Sequence, residues 1–160
     1  MSTALEQARE AYKAEQAILA ANKARETLAR ERKALAALAA VEAGESLDAV
    51  GSAVGLHPDD VSKLVDEARQ LALVPPGRLG RSPEHVINRY AAGEISREEL
   101  IETLATWPYV PAQPISEGLW DDYASFTPGS FDEVENAANL AYIDDDTYEV
   151  ILQRYVLRYQ

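Results

Sequence analysis

The sequence has no cysteine, so disulfides and thiolate metal sites are excluded. It has only two histidines, His57 and His85, too far apart and without the neighbouring ligand spacing that zinc needs. Phenylalanine and tryptophan occur twice each and methionine once. Beta-branched residues are sparse. No apolar run approaches the length of a membrane span, and the opening MSTALEQAREAYKAEQ lacks the apolar stretch of a secretory signal. These absences lead us to expect a cytoplasmic protein without membrane association. What remains is alanine, leucine and charged helix formers, which predict an all-α chain. Its 160 residues suit one medium domain or two small ones.

Charge divides the chain. The formal net charge is −12, yet residues 1–29 are neutral and residues 30–81 carry −1. Residues 82–160 carry four basic and fifteen acidic groups, or −11. A single-sign field attracts basic partners and repels phosphate backbones. Solubility alone is the plainer explanation of the same excess.

Residues 3–43 contain no helix breaker. Leu5, Tyr12 and Leu19 are seven apart, and Leu28, Leu35 and Leu38 continue a stripe that Glu26 interrupts as a heptad. The segment reads either as one helix of about forty residues or as two helices meeting near Asn22. Residues 1–27 are long enough to dimerise the protein or to lie across its C-terminal half. Ala43-Gly44 is a helix stop. Ser46 then caps a short helix over 47–54, Gly55 closes it, and Pro58 opens a helix that runs to about Leu71. Pro75, Pro76 and Gly77 end this part of the chain.

The stretch SLDAVGSAVGLHPDDVSKLV, residues 46–65, resembles the helix-turn-helix of small bacterial regulators and recombinase-type DNA-binding domains. Val50 and Gly51 match its packed aliphatic and small positions, Gly55 its turn glycine and Leu56 the aliphatic that follows. Val61 and Leu64 match the anchors of the recognition helix. LARERKALAALAAVEAGESLDAVG, residues 28–51, is similar to the preceding support helix in actinobacterial examples. The resemblance spans residues 28–71, and the domain it implies occupies 28–74. It implies double-stranded DNA as a partner and a helix in the major groove. Pro58, Asp59, Ser62 and Lys63 would face that groove, with His57 at its edge and Arg69, Arg78 and Arg81 on phosphates. Arg30, Arg32 and Lys33 are further candidates for phosphate contact. Two departures count against DNA: His57 stands where serine or threonine is usual, and Asp59-Asp60 begin the recognition helix.

The second half contains an internal repeat. SPEHVINRYAAGEISREELIETL, residues 82–104, aligns without gaps on SFDEVENAANLAYIDDDTYEVIL, residues 130–152, at an offset of 48. Each copy reads as a helical hairpin. Ser82, Ser96 and Asp144 are N-cap types, and Ser96–Glu99 and Ser130–Glu133 have capping-box spacing. The connector between the copies holds both tryptophans and four prolines, with a short helix expected over 117–125. Trp107, Tyr109, Trp120 and Tyr123 there suit either a partner-binding surface or a plug between hairpins. The acidic domain, 82–160, is the candidate site for a basic protein.

No phosphate-binding glycine loop, nucleophile elbow or paired histidine is present. Asp144-Asp145-Asp146 lacks the calcium-loop pattern. We therefore expect no enzyme, no cofactor and no metal. Two functions fit. One is a DNA-binding regulator, antitoxin-like or from a mobile element, with an acidic protein-binding half and a dimerising N-terminal helix. The other is a structural or adaptor protein, of phage-assembly or immunity type, in which the helix-turn-helix is a packing unit.

Overall fold

A computed structural model describes residues 2–111 and 127–159. The expected helix over 117–125, with Trp120 and Tyr123, lies outside the described residues. Every regular element among the described residues is a helix. None is long and apolar enough to cross a membrane. The chain divides into two compact units, one formed by Met1–Arg25 with Pro75–Gln160 and the other by Glu26–Val74.

Helix α1 spans Ala4–Glu42 without a break at Asn22, which decides for one helix over two. The Asn22 side chain accepts a long hydrogen bond from Arg25 at 3.5 Å, one turn on. Thr3 and Glu6 form a reciprocal cap at its start: the Glu6 N–H donates to Thr3 Oγ1 at 3.1 Å and the Thr3 N–H to Glu6 Oε2 at 2.8 Å. Gly44, at φ +99°, ends it as Glu45 N–H reaches the Ala40 carbonyl. The buried positions Ala20, Ala24, Leu28, Ala34 and Ala37 form a stripe of mostly small residues. Leu5, Tyr12, Ile18 and Leu19 are each more than half exposed.

In the Glu26–Val74 unit, α2 (Leu47–Val54) and α3 (Pro58–Gln70) pack with the end of α1. Ala34, Ala37, Val50, Val61, Leu64, Val65 and Ala68 form the core, and Leu38, Val41 and Leu56 close over it.

The other unit holds α4 (Pro83–Ala91), α5 (Arg97–Ala105), α6 (Asp132–Asn139) and α7 (Asp145–Leu157). Consecutive helices pair, α4 with α5 and α6 with α7. Helices at equivalent places also pair, α4 with α6 and α5 with α7. Val86, Ile87, Leu100, Leu104, Val134, Ile143 and Ile151 fill the shared core. Single hairpins bury too little apolar surface to stand alone, so this cross-pairing supplies the burial each lacks.

Backbone bonds at the two turns agree atom for atom at the 48-residue offset. Ala92 N–H donates to the Asn88 carbonyl as Leu140 does to Asn136, and Glu94 N–H to Arg89 as Tyr142 does to Ala137. Ser96 accepts the Glu99 N–H as Asp144 accepts that of Thr147, at 3.1 and 2.7 Å. The left-handed residue is Gly93 in one turn, φ +83°, and Ala141 in the other, φ +65°.

The second hairpin does not begin as expected. Ser130 is fully buried and lies two residues before α6: its hydroxyl donates to the Thr127 carbonyl and accepts the Asp132 N–H. Glu133 does not complete a capping box with Ser130 but accepts the Gly129 N–H at 2.7 Å. Phe131, already in helical conformation, takes the N-cap place without a side-chain cap and puts its ring into the core. Packing of that ring, rather than cap chemistry, sets the start of α6. Burial pushes the Glu133 carboxyl above the usual carboxylate range, against the pull of the Gly129 hydrogen bond; the Glu84 charge adds to the rise, and a hydrogen bond to the Glu84 backbone opposes it.

An alanine in the left-handed region costs about 1 kcal/mol relative to glycine. Ala141→Gly should therefore stabilise the protein by about that amount. Gly93→Ala, with no atom within 4 Å of the added Cβ, should destabilise it similarly. Urea unfolding measures both, and two neutral substitutions would contradict a held left-handed turn.

Candidate nucleic-acid interface

The start of α3 is presented by a three-residue turn, Gly55-Leu56-His57. Ser46 in extended conformation caps α2, accepting the Ala49 N–H at 3.0 Å. Gly55 at φ +73° reverses the chain. The Leu56 N–H returns to the Gly51 carbonyl at 2.9 Å. A Cβ on Gly51 would lie 2.4 Å from the Leu56 carbonyl oxygen and 3.5 Å from Val61 Cγ2. Only glycine lets α2 approach the turn this closely.

His57 replaces a hydroxyl cap with its ring: Nδ1 accepts the Asp59 N–H at 3.1 Å. Pro58 follows at the first helical position, where its missing N–H costs nothing. Val61, Leu64, Val65 and Ala68 anchor α3 on the core. Asp59, Asp60, Ser62 and Lys63 are exposed on its first two turns. The two carboxylates favour the positive end of the helix dipole but set negative charge where a phosphate backbone would approach.

The cations near α3 differ in their freedom. Arg30 is committed to Glu67, with Nη2 at 2.8 and 3.0 Å from its two carboxylate oxygens. Arg69 lies 3.6 Å from Asp66, one turn away. Among the described residues, neither Lys33 nor Lys63 forms an ion pair. Both line an open cavity of about 250 Å³ with Arg30, Asp60 and Glu67, floored by Leu56 and Leu64. Lys33 and Lys63 are thus the available positive groups on this face.

The expected DNA-facing residues fall into three groups. His57, Pro58, Asp59, Ser62 and Lys63 gather at the start of α3, and Arg69 stands near its end. Arg78 and Arg81 belong to the other unit. There, the Arg78 guanidinium covers the Trp107 ring at 4.9 Å. The Arg81 N–H donates to His85 Nδ1 at 3.1 Å.

Of the aromatics in the connector, Trp107 is only 6% exposed and belongs to the core of its unit. Its burial corresponds to the plug rather than to a free binding surface. Tyr109 is half-buried: its hydroxyl donates to the Leu104 carbonyl, and its ring meets Phe131 and Tyr155 edge-on. Burial pushes its phenol well above the ordinary range. The structure also brings to the surface tyrosines that the sequence did not single out, Tyr148 and Tyr155 half-buried against the core and Tyr159 exposed. Tyr148, Tyr155 and Tyr159 follow one face of α7 and its end, a row signalled only by their spacing of seven and four.

Asp144 and Asp145 have separate roles. Asp144 caps α7, and Asp145 lies 3.2 Å from Lys13. Among the described residues, no three potential ligands converge as a metal site. Compared with known proteins, the chain matches no family model, no curated protein and no solved structure.

Gly51→Ala should destabilise the protein by about 1–3 kcal/mol, because the Leu56 carbonyl must move to admit one methyl. Gly55→Ala meets no atom within 4 Å and should cost less, through its φ alone. Equal losses in denaturant midpoint would show that close approach does not control this turn.

Proposed function

We propose that the protein is a DNA-binding regulator, antitoxin-like or from a mobile element, whose Glu26–Val74 unit is a helix-turn-helix. In this reading α1 supports α2 and α3, and α3 enters the major groove. The observation that carries the proposal is the α2–turn–α3 geometry, with Gly51 under the turn and Pro58, Ser62 and Lys63 presented beyond it. Lys63 and Lys33 supply phosphate contacts, and Arg69 adds one only by leaving Asp66. Pro58, Asp59 and Ser62 meet the groove.

The acidic remainder has a separate task. Hairpins α4–α5 and α6–α7 are copies of one unit, and together they hold a basic protein. The exposed apolar residues Leu5, Tyr12, Ile18 and Leu19 on α1 favour pairing with a second copy, which would place two recognition helices on one duplex. We assign the protein no catalytic role and no cofactor.

One observation favours an adaptor of phage-assembly or immunity type instead. Asp59 and Asp60 stand at the front of α3, the Asp59 side chain 86% exposed, and repel the phosphates that the lysines would attract. In that case the helix-turn-helix is a packing unit and only the basic protein is bound.

Fluorescence anisotropy of the full chain on duplex DNA at low salt separates the readings. The regulator binds, loses affinity steeply with added salt, and is weakened about tenfold by Lys63→Glu. Absence of binding at about 50 mM salt would favour the adaptor. Unchanged affinity in Lys63→Glu would remove α3 from the groove.

A further inference from the structure

The tyrosine row, half-buried at Tyr148 and Tyr155 and exposed at Tyr159, has a rigid base and an acidic rim. Phe131, almost fully buried, stacks beneath Tyr155 with centroids 4.0 Å apart and planes 11° from parallel. It also lies tilted against Tyr148 at 6.4 Å. Tyr159, 63% exposed, meets Tyr155 edge-on at 5.1 Å. Ile151 and Thr147 anchor α7 from its buried side. The rings are therefore held in place before any partner arrives, so little side-chain freedom remains to be lost on binding.

Carboxylates lie beside this base: Glu149 follows Tyr148 on α7, and Asp132 and Glu135 stand on α6, which packs on α7. Desolvation raises the Tyr148 phenol above its ordinary value, and Glu135 and Glu149 raise it further. Desolvation leads again at Tyr155, with Tyr159 raising, Arg158 lowering, and Asp132 and Glu135 adding to the rise. Glu135 thus acts on both rings.

The cations of α7 and its end are already engaged. Arg154 lies 3.5 Å from Glu102. Arg158 donates from Nη1 to the carbonyls of Ala105 and Trp107, both at 2.8 Å, and its guanidinium lies 5.6 Å from the Tyr159 ring. That last contact shows the chemistry the face offers: a tyrosine ring that receives a guanidinium.

We propose that Tyr148, Tyr155 and Tyr159, rimmed by Asp132, Glu135 and Glu149, form the docking face for an arginine-bearing segment of a basic protein. The inference rests on the reading that the acidic half holds such a protein, and it adds where and by what chemistry. Guanidinium planes lie over the tyrosine rings while the carboxylates take their N–H groups. Arginine is preferred to lysine at equal charge because its planar group can stack and bond two oxygens at once. The same carboxylates repel phosphate, which argues against bases of a single-stranded nucleic acid on these rings.

The test uses the full chain with fluorescent nona-arginine and nona-lysine peptides as probes. Nona-arginine should bind more tightly than nona-lysine. Tyr159→Ala should weaken nona-arginine about fivefold while leaving nona-lysine nearly unchanged. Glu135→Gln should weaken both peptides more than Glu45→Gln, which removes the same charge from the other unit. Tyr155→Leu should act as Tyr159→Ala does if its circular dichroism melt is native; if it unfolds, the exposed Tyr159 decides alone. Tight binding of both peptides, unaltered by Tyr159→Ala and equally altered by Glu135→Gln and Glu45→Gln, would overturn the face but leave a basic partner elsewhere on the acidic half. Binding of neither peptide would overturn the face and the basic-partner reading together.

Discussion

The approach of the Leu56 carbonyl to Gly51 is the contact on which the account of α3 depends. It leaves no room for a side chain, so the chain must turn sharply through Gly55 and start α3 at once on Pro58. The turn then needs a cap that does not lengthen it, and the His57 ring provides one. With the turn fixed, the apolar anchors Val61, Leu64, Val65 and Ala68 reach the alanines of α1. Asp59, Ser62 and Lys63 are left outside. A short turn and a firmly anchored helix are what recognition of a rigid duplex asks of a protein.

In the Pro75–Gln160 segment the governing constraint is burial. Each hairpin is short, and the pairing of equivalent helices, α4 with α6 and α5 with α7, builds a core that neither hairpin has alone. Most acidic groups can then remain at the surface. Among the described residues Glu133 is the exception, buried and held by the Gly129 N–H. Concentrating negative charge in this segment keeps it off the residues around α3, whose formal balance is close to neutral. The proposed division between a DNA partner and a basic protein follows from that separation.

Much of the helical framework was legible in the sequence because cap chemistry is local. Ser46, Gly55, Pro58, Ser82, Ser96 and Asp144 each mark a boundary by what their own side chains or backbones can do within four residues. What the sequence concealed depends on contacts between distant elements. Ser130 and Glu133 have the spacing of a capping box, yet the burial of Phe131 moves the start of α6 past Ser130. Ala141 adopts the conformation that glycine takes at the equivalent turn, held there by the same backbone bonds. The front of α3 was readable from the order of its residues. The partner of Arg78 was not, since Trp107 comes from a distant part of the chain; the Arg81–His85 contact spans only four residues, but nothing in the residue order marks it. The tyrosine row was equally hidden, because its base, Phe131, comes from another helix.

The central claim is that α3 reads DNA while the acidic unit takes no part in that contact. Amide chemical-shift mapping of the full chain with a duplex at low salt tests it most directly. The account predicts perturbations confined to the turn and the first two turns of α3, residues 55–66, and to the neighbourhood of Lys33, with the amides of α4 to α7 unmoved. Perturbations centred on α4 to α7, or none at all, would contradict it.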